Sequence, residues 1–252
     1  MRILLTNDDG IFSKGIESLY QALSMEHEVT VVAPETEQSA VGHAITLLEP
    51  LRVNRVKRNG HFFGFALKGT PADCVKIAVT ELLTPPPQIV VSGINLGANV
   101  GVNVIYSGTV SAATEAAVLG IPSIAVSIDS ANPVDFSAAT EFIPRLVAKV
   151  ATEGLPGGVS LNVNVPNIPA EKVRGVRLTR QGRLQCVDRY DRRTDPRNNA
   201  YYWLCNLYVE QDRDPDVDSN MLAAGFITVT PIHYDLTEYE MLKTMEDWDL
   251  GL

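Results

Sequence analysis

Apolar, β-branched runs alternate with helix-like patterns along the first two-thirds of the chain, and this alternation limits the fold more than any other feature. A short continuous apolar run between turn residues reads as a strand buried on both faces, and a helix after it returns the chain to start the next strand parallel to the last. The runs predict strands over residues 2–7, 29–33, 89–92, 121–127 and 160–165. The stretches between them predict helices over residues 16–25, 71–83, 109–119 and 138–150, several opening on small residues or proline. The outline is a doubly wound α/β fold with a mainly parallel sheet.

Two regions break the rhythm. Residues 44–68 hold two alternating segments around Asn59-Gly60, a dipeptide suited to a tight turn with positive φ, so a projecting β-hairpin is expected. After residue 165 the helical patterns vanish; residues 173–179, 201–208 and 226–231 read as strands of an arm or an antiparallel edge, and 236–248 as a tail helix. No repeat or linker divides the chain. It is read as one domain, 1–252, with a core over about 1–170 and an elaborated remainder over about 171–252.

With 45% hydrophobic residues the 252-residue chain can fill a sizeable core. Its 21 basic and 30 acidic residues give a formal charge of −9, which opposes binding to duplex nucleic acid or anionic membrane surfaces. Cys74, Cys186 and Cys205 are odd in number and far apart, and read as reduced thiols. Met1 leads straight into a strand pattern without a charged, then apolar, leader, and no apolar run approaches the roughly 20 residues needed to cross a bilayer. A soluble cytoplasmic protein is expected.

The first strand ends in Asn7-Asp8-Asp9-Gly10, and open α/β sheets bind ligands outside the carboxyl ends of their strands. Adjacent side chains on a regular strand point to opposite faces, but Gly10 lets the chain curl and bring both carboxylates to one hard divalent cation. The same residues read equally as a polar turn. Ser39, in the loop after the second strand, is either a neutral oxygen ligand or a turn cap. The segment 92–103, SGINLGANVGVN, is rich in glycine and asparagine, fit to set backbone N–H groups and amides around an anion. Ser107, Gly108 and Thr109 then open a helix whose free N–H groups favour phosphate, or they cap it. Together these parts match attack of a metal-activated water on a phosphate ester.

Other patterns fail. There is no lysine after the glycines for a P-loop, and no GxGxxG. Asp212, Asp214, Asp216 and Asp218 alternate like an EF-hand, but Val217 and Ala223 occupy the glycine and closing-glutamate positions, so the run reads as a solvated loop. The mixed-charge run 191–197 reads as an exposed turn. His27, His43, His61 and His233 lack the spacing of a two-histidine zinc site.

RILLTNDDG at 2–10, VVAPETEQSA at 31–40, GTPADCV at 69–75, SGINLGANVG at 92–101, and IYSGTVSAATEAA with GIPSIAVS over 105–127 resemble the stationary-phase survival protein SurE family. LNVNVP at 161–166, YYWL at 201–204 and ITVTPIHYDLT at 227–237 extend the resemblance over the whole chain. It implies a Rossmann-like three-layer core and one divalent ion, magnesium or manganese, on Asp8, Asp9, Ser39 and Asn95. It further implies Asp8 and Asp9 as the catalytic acids and phosphate contacts at Asn95, Ser107, Gly108 and Thr109. The activity it implies is hydrolysis of nucleoside 5'- and 3'-monophosphates, extended to short-chain polyphosphate. Homodimers or homotetramers with an exchanged C-terminal segment are implied as well. Asn103 stands where many relatives carry an acid, and DPRNNA replaces the commoner DPRG. Two alternatives remain at this level: a phosphatase with an aspartyl nucleophile, whose acids lie two positions apart rather than adjacent, and a non-catalytic nucleotide-binding module of the stress response.

Overall fold

The computed structural model describes residues 1–129, 133–210 and 214–250, with the side chains of 184–188 and 206–210, Cys186 among them, outside the description. Eleven strands form there: β1 Arg2–Thr6, β2 Glu28–Pro34, β3 Val53–Arg58, β4 His61–Leu67, β5 Ile89–Leu96, β6 Ser123–Ile128, β7 Val159–Val165, β8 Val176–Leu178, β9 Leu184–Thr194, β10 Ala200–Glu210 and β11 Ile227–His233. The helices are α1 Lys14–Leu23, α2 Pro71–Ile77, α3 Asn103–Tyr106, α4 Gly108–Val118, α5 Ser137–Glu153, α6 Asp218–Ala223 and α7 Tyr239–Met245.

Nine strands make one sheet in the order β3-β4-β2-β1-β5-β6-β7-β11-β8. From β4 to β7 neighbours run parallel, and helices cover both faces. Side chains alternate across β1: Ile3 and Leu5 pack with Ile16, Leu19 and Leu23 of α1 and Ile143 and Val147 of α5, whereas Leu4 packs with Cys74 and Val75 of α2 and Ala112 and Ala116 of α4. Each fully buried Leu or Ile contributes about 1.5–3 kcal/mol by leaving water. β1 lies between β2 and β5, so successive crossovers leave it in opposite directions. The crevice of a doubly wound sheet opens at such a reversal, and here it lies between the ends of β1 and β5.

The structure departs from the sequence reading in its margins. The hairpin at Asn59-Gly60 forms as β3 and β4, but β4 pairs with β2 in parallel, so it extends the sheet edge instead of projecting from it. The predicted strand at 226–231 is β11, also in the main sheet and antiparallel to β7, with β8 beside it. The piece that stands apart is the β9–β10 ribbon, whose strands pair only with each other. The run 191–197 therefore begins inside β9, and its turn lies at 195–199. Helices do not vanish after residue 165, since α6 forms, and the tail helix spans only Tyr239–Met245. The second helix is regular over Pro71–Ile77 and continues as a wider π-turn over Ala78–Leu82. In the acidic run, Asp212 lies outside the described residues, Asp214 and Asp216 pair with Arg180, and Asp218 is fully buried rather than solvated. Among the described residues no helix is long and apolar enough to cross a membrane.

Candidate metal and phosphate site

At the end of β1 the chain turns sharply. Asn7, fully buried, donates its amide to the Gly10 carbonyl at 3.1 Å and to Ser13 Oγ at 2.8 Å, and Ser13 caps α1. Gly10 has φ +94°, a conformation costly for a side chain with Cβ, and the loop after β2 wraps it closely. Ile11 N donates to the Pro34 carbonyl at 2.9 Å and Gln38 N to the Asp8 carbonyl at 2.7 Å, which brings the Ser39 loop to the two acids.

Asp8 is 4% exposed and sits on the start of α4. Thr109 N donates to its Oδ2 at 3.0 Å, and the Thr109 hydroxyl donates to Oδ1. A Cβ at Gly108 would lie 2.9 Å from Asp8 Cβ, so the helix start can approach this closely only with glycine there. Burial raises the Asp8 pKa above the usual carboxylate value, against the lowering pull of the Thr109 bonds. Asp9 is pushed up to about 7, first by burial and then by the charges of Asp8 and Glu37, with the Leu96 backbone N–H opposing. Its Oδ2 is buried and has no hydrogen-bond partner.

Asn95 follows a register shift in the β5–β6 pairing, the kind of irregularity that re-aims a side chain beside a functional site. Its amide nitrogen donates to the Gly97 carbonyl at 2.7 Å, which leaves the amide oxygen as its remaining ligand atom. Ser39 is exposed and donates to Glu37 Oε1 at 2.6 Å. Ser107 is the N-cap of α4, its Oγ accepting from Val110 N at 3.1 Å.

The expected residues thus gather at the ends of β1 and β5 and the start of α4, with one difference of role. Thr109, expected at the phosphate, spends both donors on Asp8, and Gly108 N–H is the donor left at the helix start. Glu37 was missed: a loop acid carries no periodic signal, yet its charge raises both Asp8 and Asp9. Among the described residues no three His, Cys, Asp or Glu side chains cluster as a metal-holding group. The residues expected to hold an ion offer two carboxylates, one hydroxyl and one amide oxygen, all hard oxygen donors, and the unpartnered oxygen of Asp9 fits a divalent cation.

The raised carboxyls give a pH dependence. The folded, metal-free protein holds the Asp9 proton more tightly than the unfolded chain, so stability is lost as pH rises from the unfolded value of 3.8 to about 7, and the cost is complete above that. Thermal melts in chelator are expected to show a falling melting temperature from about pH 5 to pH 8, with Asp9→Asn flattening the fall. An unchanged slope in Asp9→Asn would remove Asp9 as its source.

The family model described as Survival protein SurE matches residues 3–188. A 5'-nucleotidase SurE of Syntrophobacter fumaroxidans is 71% identical over 250 residues, covering 99% of this chain and 100% of the relative. One from Syntrophus aciditrophicus is 49% identical, covering 98% and 93%. The crystal structure of the SurE protein from Aquifex aeolicus superposes with a TM-score of 0.85 at 38% identity over 98% of both chains. With the motifs resting on the strand ends and helix start described above, the chain belongs to the SurE family.

Proposed function

We propose that the protein is a divalent-metal-dependent 5'-nucleotidase that hydrolyses nucleoside 5'- and 3'-monophosphates and short-chain polyphosphate. The observation that carries this reading is the pair of adjacent carboxylates, one buried and clamped by Thr109 and the other half-buried with an enclosed oxygen no protein group satisfies. The names of the relatives, 5'-nucleotidase SurE, support the substrate class. Asp8, Asp9, Ser39 and Asn95 would hold magnesium or manganese. When bound, such an ion lowers the pKa of water and offsets charge on the phosphate. Thr109 fixes the Asp8 carboxylate, and Glu37 holds the Ser39 hydroxyl. Gly108 N–H and the dipole of α4, with Ser107 as its cap, favour a phosphate oxygen at the helix start. Water oxygen bonds to phosphorus, the ester oxygen leaves as the ribose hydroxyl, and the water proton goes with it.

A nucleotide-binding module without catalysis would need the helix start but no paired acids, and the cost of holding Asp8 and Asp9 together argues against it. The deciding assay crosses several divalent ions with all common 5'- and 3'-monophosphates and polyphosphate, beside a chelator control. Turnover that requires a divalent ion supports the reading, and no turnover with any ion overturns it.

We place the protein in the cytoplasm as one domain, a homodimer or homotetramer, with residues 171–252 supplying arm and tail. A lone two-stranded ribbon is marginal in water, and β9–β10 exposes Tyr190, Tyr201, Tyr202, Trp203 and Leu204. The tail helix α7 has no buried residue and exposes Tyr239, Met241 and Leu242. Exchange of this tail between copies would cover it. A chain ending after Asp235 keeps β11 and is expected to sediment at a lower mass than the full chain; an unchanged mass would rule the exchange out.

A further inference from the structure

The acidic run at 214–218 finds a use that its sequence conceals. Asp218 opens α6 and is fully buried. Its Oδ2 accepts from Gly101 N at 3.0 Å, and its Oδ1 from Gly182 N at 2.9 Å and Ser219 N at 2.8 Å. Gln181 reaches the other side of the same turn, donating its amide to the Gly101 carbonyl at 2.8 Å. Asp218 N in turn donates to the Arg180 carbonyl at 3.0 Å. Residues 180–182 and 214–219, which flank the β9–β10 ribbon, therefore close on the Gly101 turn together.

Gly101 lies midway between Asn95 and Ser107, so it governs how the end of β5 is joined to the start of α4. Two residues earlier the same loop is gripped again. Asn99 N donates to Asn164 Oδ1 at 2.7 Å, its side-chain amide to Ser127 Oγ at 2.7 Å, and its carbonyl accepts from Asn162 at 2.8 Å and Asn164 at 3.1 Å. Inward positions of β6 and β7 that would ordinarily pack apolar side chains are given to holding one short piece of backbone. Buried polar groups of this kind cost free energy unless their bonds are made, and fully satisfied they fix a single geometry. Between Gly101 and Ser107 the chain makes the single turn of α3, packs Val104 against Val110, Ala113 and Ala125, and accepts one bond from Gly42 N at the Tyr106 carbonyl.

We propose that Asp218 is a positioning residue for phosphate-ester hydrolysis: by holding the Gly101 turn, it sets the start of α4 relative to Asn95. This rests on the reading of the site as a metal-dependent phosphohydrolase. The two carboxyl oxygens of Asp218 serve backbone N–H groups on two segments at once, Gly101 in the site loop and Gly182 with Ser219 at the root of the ribbon. An amide in its place presents one oxygen only, so one of those segments loses its acceptor.

The test measures kcat/KM for a nucleoside 5'-monophosphate and the inhibition constant of inorganic phosphate, both with manganese. The wild type, Asp218→Asn and Gln181→Ala are compared well below their melting temperatures. Asp218→Asn is expected to lower kcat/KM by about 10- to 100-fold, as displacement of a reacting group on the ångström scale does, and to raise the phosphate constant in parallel. Gln181→Ala, which removes one bond from the exposed side and leaves the core intact, is expected to do the same by about two- to tenfold. It carries the test if Asp218→Asn does not fold. A purely structural role would lower the melting temperature and leave both constants of the folded enzyme within about twofold of wild type, which overturns the proposal. If the wild type itself hydrolyses no nucleotide with any divalent ion, the phosphohydrolase reading falls and the proposal with it. If the wild type turns over and the folded variants match it, the proposal alone falls.

Discussion

Asp8→Asn is expected to reduce nucleotide hydrolysis at least about a thousandfold, beyond the 10- to 100-fold typical of losing an outer-shell partner, while the metal-free protein stays as stable as wild type or gains stability. The stability half rests on the hydrogen bonds around residue 8. An asparagine there can accept from Thr109 N through its oxygen and donate to the Thr109 hydroxyl through its nitrogen, because a hydroxyl can reverse its role. No buried group is orphaned by the change. It also removes one of the two negative charges, those of Asp8 and Glu37, that raise the Asp9 pKa in the absence of a cation. With that charge gone the Asp9 pKa should fall. The activity half rests on the cation, since a neutral amide replaces an anionic ligand and weakens both its binding and the charge it can offset. The rise in melting temperature on adding manganese should therefore shrink in the variant. Melts with chelator and with metal, run beside the assay, check both halves. A loss of more than about 3 kcal/mol in the metal-free state, the size expected when a buried network is broken, would make Asp8 a structural acid and sink the metal assignment.

Much of this site can be read from the sequence because its parts sit where strands stop. The runs at 2–7 and 89–92 are apolar enough to be strands, and each gives way to polar residues, so Asp8, Asp9 and Asn95 fall at the carboxyl edge whatever the loop geometry. The positions that escaped are those whose partners are remote. Nothing near Asp218 in sequence signals that its carboxylate will meet an N–H 117 residues earlier, and its neighbours Asp214 and Asp216 do lie at the surface on Arg180. Strand β9 is similarly hidden: DRYDRRT shows no apolar alternation, because a free two-stranded ribbon has no buried face to require it. Thr109 shows a third kind of gap. A helix start offers its N–H groups to any anion, and only the structure reveals that the nearest one is the protein's own Asp8.

That closeness makes Gly108 a sensitive position of the site although it has no ionisable chemistry of its own. Gly108→Ala is expected to lower kcat/KM by about 100-fold and to weaken manganese binding, with little loss of stability. The added Cβ would lie 2.9 Å from Asp8 Cβ, closer than real contacts come, and 3.0 Å from Asp8 Oδ2 and 3.2 Å from Pro71 Cγ, tighter than most, so something must move. Pro71 opens α2 and packs in the interior, with 71–75 all buried, so it has little room to retreat. The yielding parts are the Asp8 side chain and the first turn of α4, and either shift pulls Asp8 off the Thr109 donors and away from Asn95. A displacement of about 1 Å in such a constellation is enough for a loss of that size. Stability is set by opposing effects: the clash and strained bonds cost free energy, while alanine in place of glycine at a helix position favours folding by up to about 1 kcal/mol. Calorimetric titration with manganese and a thermal melt, set beside the activity, separate the two. A variant that keeps kcat/KM within about threefold of wild type would mean that Asp8 does not need its place on the start of α4, and the clamped-carboxylate account of the site would fail.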